Sequence, residues 1–209
     1  MKSLIFDIDG TLWDSRALVA EGYNIQLRSE GYDHLCVTAE DLKPLFGKVM
    51  TEIADVILAE IPASQRYELM ERCMDTENRY LAENECKIGY AGVKETLQAL
   101  AKDYRLFIVS NAQCGYPELC MEKLGISHLF EGHLCFGDTG TEKGETILEL
   151  MRRHQIDDAV YIGDTQGDYE ATQVADIPFI WAAYGFGSPA AWAARLDDIR
   201  QLPEMLKAM

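Results

Sequence analysis

The chain has 209 residues, 48% of them hydrophobic, which is enough to bury a substantial core in one domain or in one domain carrying a sizeable insertion. Its formal net charge of -16 works against holding nucleic acid or an anionic membrane through bulk charge, so a phosphate ligand must meet a local positive site. The six cysteines, Cys36, Cys73, Cys86, Cys114, Cys120 and Cys135, are scattered without CxxC pairs and read as free thiols in a reducing cytoplasm. No apolar run approaches the ~20 residues needed to span a bilayer.

The first apolar run, LIFDI, reads as a buried strand. From Asp14 to Lys87 no strand pattern occurs. Helical periodicity instead covers Ala17 to Ser29, Thr38 to Leu45, Met50 to Glu60 and Ser64 to Glu85, with Thr38 and Asp41 spaced as a capping pair and Pro62 marking a stop. Strands and helices then alternate: a helix from Gly92 to Ala101, RLFIVS, a helix from Pro117 to Leu124, HLCFG, a helix from Lys143 to His154, AVYIGD, a helix from Asp168 to Val174, and PFIWAAY. Such alternation predicts an α/β fold, a Rossmann-like parallel sheet flanked by helices, with an inserted all-helical cap domain. The expected division is a core of residues 1–13 and 88–209 and a cap of residues 14–87.

In open α/β sheets, ligands bind beyond the carboxyl ends of the strands, and several of these strands end in polar residues. Asp7 and Asp9 lie two apart, so in a continuing strand their carboxylates face the same way and repel, which raises one pKa or demands a cation. VSN at Val109 to Asn111 offers a hydroxyl and backbone N–H groups. TEKGE at Thr141 to Glu145 offers a lysine that opens a helix, and GDTQGD at Gly163 to Asp168 adds two more acids.

The four motifs in this order resemble the haloacid dehalogenase-like hydrolase superfamily, in its phosphatase branch with a helical cap after the first motif. The resemblance implies that Asp7 is the nucleophile forming a phosphoaspartyl intermediate and that Asp9 is the general acid and base. It implies that Ser110 and the backbone N–H of Asn111 bind phosphoryl oxygens while Lys143 neutralises developing charge. Mg²⁺ would be held by Asp7, Asp164 and the backbone carbonyl of Asp9, since hard oxygen donors suit it, with Asp168 orienting Lys143 or a water from behind. Dehalogenases and phosphonatases lack an acid at the position of Asp9. Thr11 is placed among the substrate contacts and favours a phosphatase over phosphomutase relatives, which often carry Val or Ile there. Gly144 departs from the pattern, because many relatives have proline directly after the lysine.

Lys48, in LFGKVMTE, is the candidate specificity residue of the cap. The four histidines show no zinc-like spacing, and Trp13, Trp181 and Trp192 read as packing residues, with lining the cleft between cap and core as the alternative for Trp13, which directly follows the catalytic turn. The resulting expectation is a cytoplasmic Mg²⁺-dependent phosphatase similar to phosphoglycolate phosphatases. It would act on a small phosphorylated metabolite, as a monomer or weak homodimer, with no nucleic-acid or membrane partner. A sugar phosphomutase resembling β-phosphoglucomutase is the alternative, and a catalytically silent phosphate-binding module is a third reading.

Overall fold

The computed structural model describes residues 2–85 and 87–208, so Cys86 lies outside the described residues. In chain order the elements are β1 (Ser3–Phe6), α1 (Arg16–Ser29), α2 (Ala39–Leu42), α3 (Met50–Ile57), α4 (Ala63–Glu83), α5 (Val93–Leu100), β2 (Arg105–Ser110) and α6 (Tyr116–Leu124). They continue with β3 (Gly132–Cys135), α7 (Phe136–Thr139), α8 (Lys143–His154), β4 (Ala159–Gly163), α9 (Gln166–Ala175), β5 (Phe179–Ala182), β6 (Ala194–Leu196) and α10 (Leu202–Ala208). Two compact units result, one made of the residues up to Asp14 with those from Ile88 onward, the other of Ser15–Lys87.

The first unit is a Rossmann-like α/β fold, a six-stranded sheet in the order β3-β2-β1-β4-β5-β6 with every neighbouring pair parallel. The continuous apolar runs are explained by burial on both faces: Leu4, Ile5 and Phe6 of β1 are wholly shielded from solvent. Burying each contributes roughly 1.5–3 kcal/mol. One face carries Ile147 and Leu150 of α8 with Ala171 and Ala175 of α9, packed on Ile5, Phe107, Tyr161 and Phe179. β1 sits centrally, so the chain leaving it emerges between the ends of β2 and β4. The same chain returns beside its exit, with the Asp14 N–H donating to the Ile88 carbonyl (2.9 Å) and the Tyr90 N–H to that of Leu12 (3.1 Å).

The second unit is all-helical. α1 and α4 cross so closely that a Cβ on Gly22 would lie 2.7 Å from the Glu77 Cα. Buried Asn24 ties α1 to the following loop, accepting from the Val37 N–H (2.8 Å) and donating to its carbonyl (2.7 Å). The predicted Thr38 and Asp41 cap forms in full at the start of α2.

Several boundaries differ from the sequence reading. β1 stops at Phe6, short of Asp7. The end of HLCFG is helical, because the Asp138 carboxylate accepts the Cys135 N–H (2.9 Å) and opens α7 there. α2 ends at Leu42 and α3 at Ile57, each giving way to turns, and β6 is an added edge strand.

Candidate functional site

Asp7 follows β1 and is fixed by its N–H donating to the Ile162 carbonyl of β4 (2.9 Å). Asp164 follows β4 directly, and Lys143 opens α8. All three are buried, as is Asp168 of α9. The Lys143 ammonium donates to Asp7 Oδ1 (3.0 Å) and to Asp168 Oδ1 (2.6 Å), bridging the two carboxylates. Carboxylate oxygens of Asp7, Asp164 and Asp168 lie within 4.8 Å of one another.

Close backbone approach holds Asp164 in place. Gly10 has φ of 76° and a Cβ there would meet Asp164 Oδ2 at 2.2 Å, so both conformation and space demand glycine. On the other side a Cβ on Gly185 would lie 2.4 Å from the Asp164 Cβ, and the Phe186 N–H donates to Asp164 Oδ2 (2.6 Å). Asp164 Oδ1 is buried with no hydrogen-bond partner among the described residues. Asp168 has no such vacancy. Its Oδ2 accepts from the Asp164 N–H (3.1 Å), the Thr165 N–H (2.9 Å) and the Thr165 hydroxyl (2.7 Å), which caps α9, while Oδ1 takes Lys143 and the Tyr161 hydroxyl (3.3 Å).

The strand does not continue through the pair, so Asp7 and Asp9 are presented by the turn after β1 rather than by one face of it, while the Asp9 charge still acts on Asp7, adding to burial in raising its pKa. With β1 ending at Phe6, the Asp9 carboxylate turns to different partners: Oδ1 accepts from the Trp13 indole N–H and from the Tyr116 hydroxyl, both at 2.8 Å. The Trp13 and Tyr116 rings meet edge to face at 5.5 Å. Trp13 is thus more than the packing residue its apolar bulk suggests. Neither Tyr116 nor Tyr161 stood out in the sequence, because one is 107 residues from Asp9 and the other is hidden inside an apolar strand.

The remaining candidates divide. Ser110 ends β2, buried, with its Oγ accepting the Ala112 N–H (3.3 Å) and so shaping the turn that begins with Asn111. Thr11 is wholly buried with no hydrogen-bond partner for its Oγ1 among the described residues, while its carbonyl accepts from the Tyr184 hydroxyl (2.9 Å). Gly144 has a packing reason: a Cβ there would lie 2.6 Å from the Val174 Cβ of α9. Lys48 lies in the helical unit, about half exposed and paired with Glu52 (3.5 Å).

Burial pushes the Asp7 carboxyl up to about 7, against the pull of the Lys143 ammonium. Asp164 is raised well above the carboxylate range by burial and then by Asp168 and Asp7. For Asp168, burial is outweighed by Lys143 and the Thr165 hydrogen bonds, which lower its pKa; the same carboxylates keep Lys143 charged despite its burial. The Lys143 ammonium is paired with Asp7 and Asp168, and among the described residues no cation pairs with Asp164, whose Oδ1 has no hydrogen-bond partner. Asp7 and Asp164 together offer hard oxygen donors in a buried site, a donor set that fits Mg²⁺. Asp168, its lone pairs occupied, fits as their support.

Comparison with known proteins finds matches over most of the chain. The family model described as haloacid dehalogenase-like hydrolase matches residues 4–182. A phosphoglycolate phosphatase of Photobacterium profundum is 30% identical, the alignment covering 99% of this chain and 96% of that one; another, from Xanthomonas campestris, is 26% identical over 98% and 94%. Among solved structures, a haloacid dehalogenase-like family hydrolase from Streptococcus pneumoniae matches with a TM-score of 0.83 at 18% identity, covering 99% of this chain and 98% of that one. One from Haemophilus somnus, described as a predicted phosphoglycolate phosphatase, gives 0.82 at 23% identity over the same shares.

Proposed function

Given that the chain belongs to the haloacid dehalogenase-like hydrolase family, we propose that it is a Mg²⁺-dependent phosphatase that cleaves a small phosphomonoester, 2-phosphoglycolate being the first candidate. The observation that carries the reading is the buried Lys143 ammonium bridging Asp7 and Asp168 beside the unpartnered oxygen of Asp164. One lysine and one cation site give this acidic chain the local positive charge that a phosphate ester requires.

Asp7 Oδ2, the oxygen not bound to Lys143, attacks phosphorus and forms the aspartyl phosphate. Asp9, held by Trp13 and Tyr116, gives a proton to the leaving alkoxide. In the second half-reaction Asp9 takes a proton from water, which attacks the phosphorus of the aspartyl phosphate, and Asp7 leaves as a carboxylate. Lys143 keeps Asp7 oriented and offsets the negative charge that gathers during transfer. Ser110 fits as a phosphoryl contact, because its Oγ accepts from Ala112 and its own hydrogen remains to be donated. Bound at Asp7, Asp164 and the Asp9 carbonyl, Mg²⁺ would screen the charge of nucleophile and phosphate from each other. The choice of ester is assigned to the helical unit, where Lys48 is the candidate contact.

The test is phosphate release from 2-phosphoglycolate, sugar phosphates, nucleotides and pyrophosphate, with Mg²⁺ and with EDTA. Release that requires Mg²⁺ and disappears in Asp7→Asn is expected. Full activity in EDTA, or in Asp7→Asn, contradicts the reading.

A further inference from the structure

A second cluster of metal-ligating side chains stands at the same edge of the sheet and plays no part in phosphoryl transfer. Cys135 is the last residue of β3, in register with Ser110 of β2; Cys114 lies in the loop after β2, and Asp138 is in α7. One donor atom from each lies within 4.8 Å of the others. Each carboxylate oxygen of Asp138 faces one sulfur, Oδ2 that of Cys135 (3.1 Å) and Oδ1 that of Cys114 (3.7 Å).

Two features show that this arrangement is built. Oδ2 also accepts the Cys135 N–H (2.9 Å), so the carboxylate is fixed by backbone before any ligand arrives. Gly137 lets Cys114 come in, since a Cβ there would lie 2.4 Å from the Cys114 nitrogen and 2.8 Å from its sulfur. Cys135 is buried while Cys114 and Asp138 are exposed, leaving one side open to water.

We propose that Cys114, Cys135 and Asp138 form a site for a thiophilic divalent cation of the zinc class, separate from the carboxylate site at Asp7 and Asp164. Two sulfur donors select a soft or borderline ion over Mg²⁺, and three protein ligands with an open fourth position are a common zinc arrangement. Zinc–sulfur bonds of ~2.3 Å and zinc–oxygen bonds of ~2.0–2.2 Å at a tetrahedral angle put sulfur and oxygen about 3.6 Å apart, against 3.1 and 3.7 Å here. On binding, two S–H bonds break, two metal–sulfur bonds form and two protons pass to water, with no change of oxidation state. The ion would pin the loop that starts at Asn111 to the end of β3, bracing the segment rooted at Ser110. Histidine spacing argued against zinc from the sequence, and two cysteines 21 residues apart carry no metal signature there.

The test is titration of the full chain, reduced with a phosphine and saturated with Mg²⁺, by Cd²⁺ as an optical probe of zinc-class binding. The thiolate-to-cadmium charge-transfer absorption is read, and equilibrium dialysis against Zn²⁺ gives the stoichiometry. One tight ion per chain is expected, with affinity lowered at least about tenfold in Cys114→Ser and in Asp138→Asn and unchanged in Cys36→Ser. Cys114 is exposed, so its variant retains the fold, as circular dichroism would verify. The proposal is overturned if no charge-transfer band appears, if Cys114→Ser binds as tightly as the parent chain, or if Cys114 and Cys135 oxidise to a disulfide while the reduced chain takes up no metal.

Discussion

The most informative single residue after the nucleophile is Asp9, because its carboxylate is held by two donors from different parts of the chain, Trp13 and Tyr116. As Asp9 gives up its proton it becomes a carboxylate, and a hydrogen bond to an ionised group contributes about 1.5–3 kcal/mol. Deleting the Tyr116 hydroxyl withdraws part of that stabilisation from the transition state and should slow by up to roughly tenfold any step in which Asp9 acts as an acid. Tyr116→Phe is therefore expected to slow an alkyl phosphate, a poor leaving group, far more than p-nitrophenyl phosphate, which departs without a proton. Equal losses on both esters would show that Tyr116 serves packing alone.

At the scale of elements, α8 and α9 meet through Gly144, and two effects compete there. Alanine is the better helix former by about 1 kcal/mol, but forcing a Cβ to within 2.6 Å of Val174 overpacks the contact, at about 1–3 kcal/mol. Urea denaturation should find Gly144→Ala less stable; a gain in stability would mean that the helices separate at no cost. The same scale separates what the sequence discloses from what it hides. Strands buried on both faces read as unbroken apolar runs, so β1, β2 and β4 and the acids and hydroxyl at their ends were visible, as was the lysine opening α8. β6 was not, because its three residues include a single buried one. The turn of Asp9 toward Tyr116 and the meeting of Cys114 with Asp138 depend on how a loop packs against a neighbouring element, which no local pattern encodes. The T-x-x-D spacing of Thr165 and Asp168 carries the same capping signature as Thr38 and Asp41, and in the fold Asp168 serves both the α9 cap and the site.

For the whole molecule, the cluster of buried acids links folding to pH and to metal. Between the ordinary carboxylate pKa near 4 and about 7, folded Asp7 keeps a proton that the unfolded chain has released, and Asp164 is shifted in the same direction. The folded state thus binds more protons in this window, and stability of the metal-free chain falls as pH rises through it. Asp168 is shifted oppositely, and its contribution is lost only on acidification below that window. In EDTA the melting temperature should be higher at about pH 6 than at about pH 8 by at least ~2–4 °C, the shift that ~1 kcal/mol gives in a chain of this size. Mg²⁺ binds the folded chain and should restore the loss at the higher pH, and Asp164→Asn should flatten the profile. A melting temperature that rises with pH in EDTA would contradict this account of the site.

The claim on which the rest depends is that Asp7 itself carries the phosphoryl group between the two half-reactions. It is tested by quenching the enzyme during turnover of 2-phosphoglycolate, or of whichever ester proves fastest, reducing the acyl phosphate with borohydride and sequencing the peptides by mass spectrometry. The account predicts homoserine in place of Asp7, formed only with substrate and Mg²⁺ present. Reduction at another carboxylate, or none at any residue during sustained turnover, would contradict it.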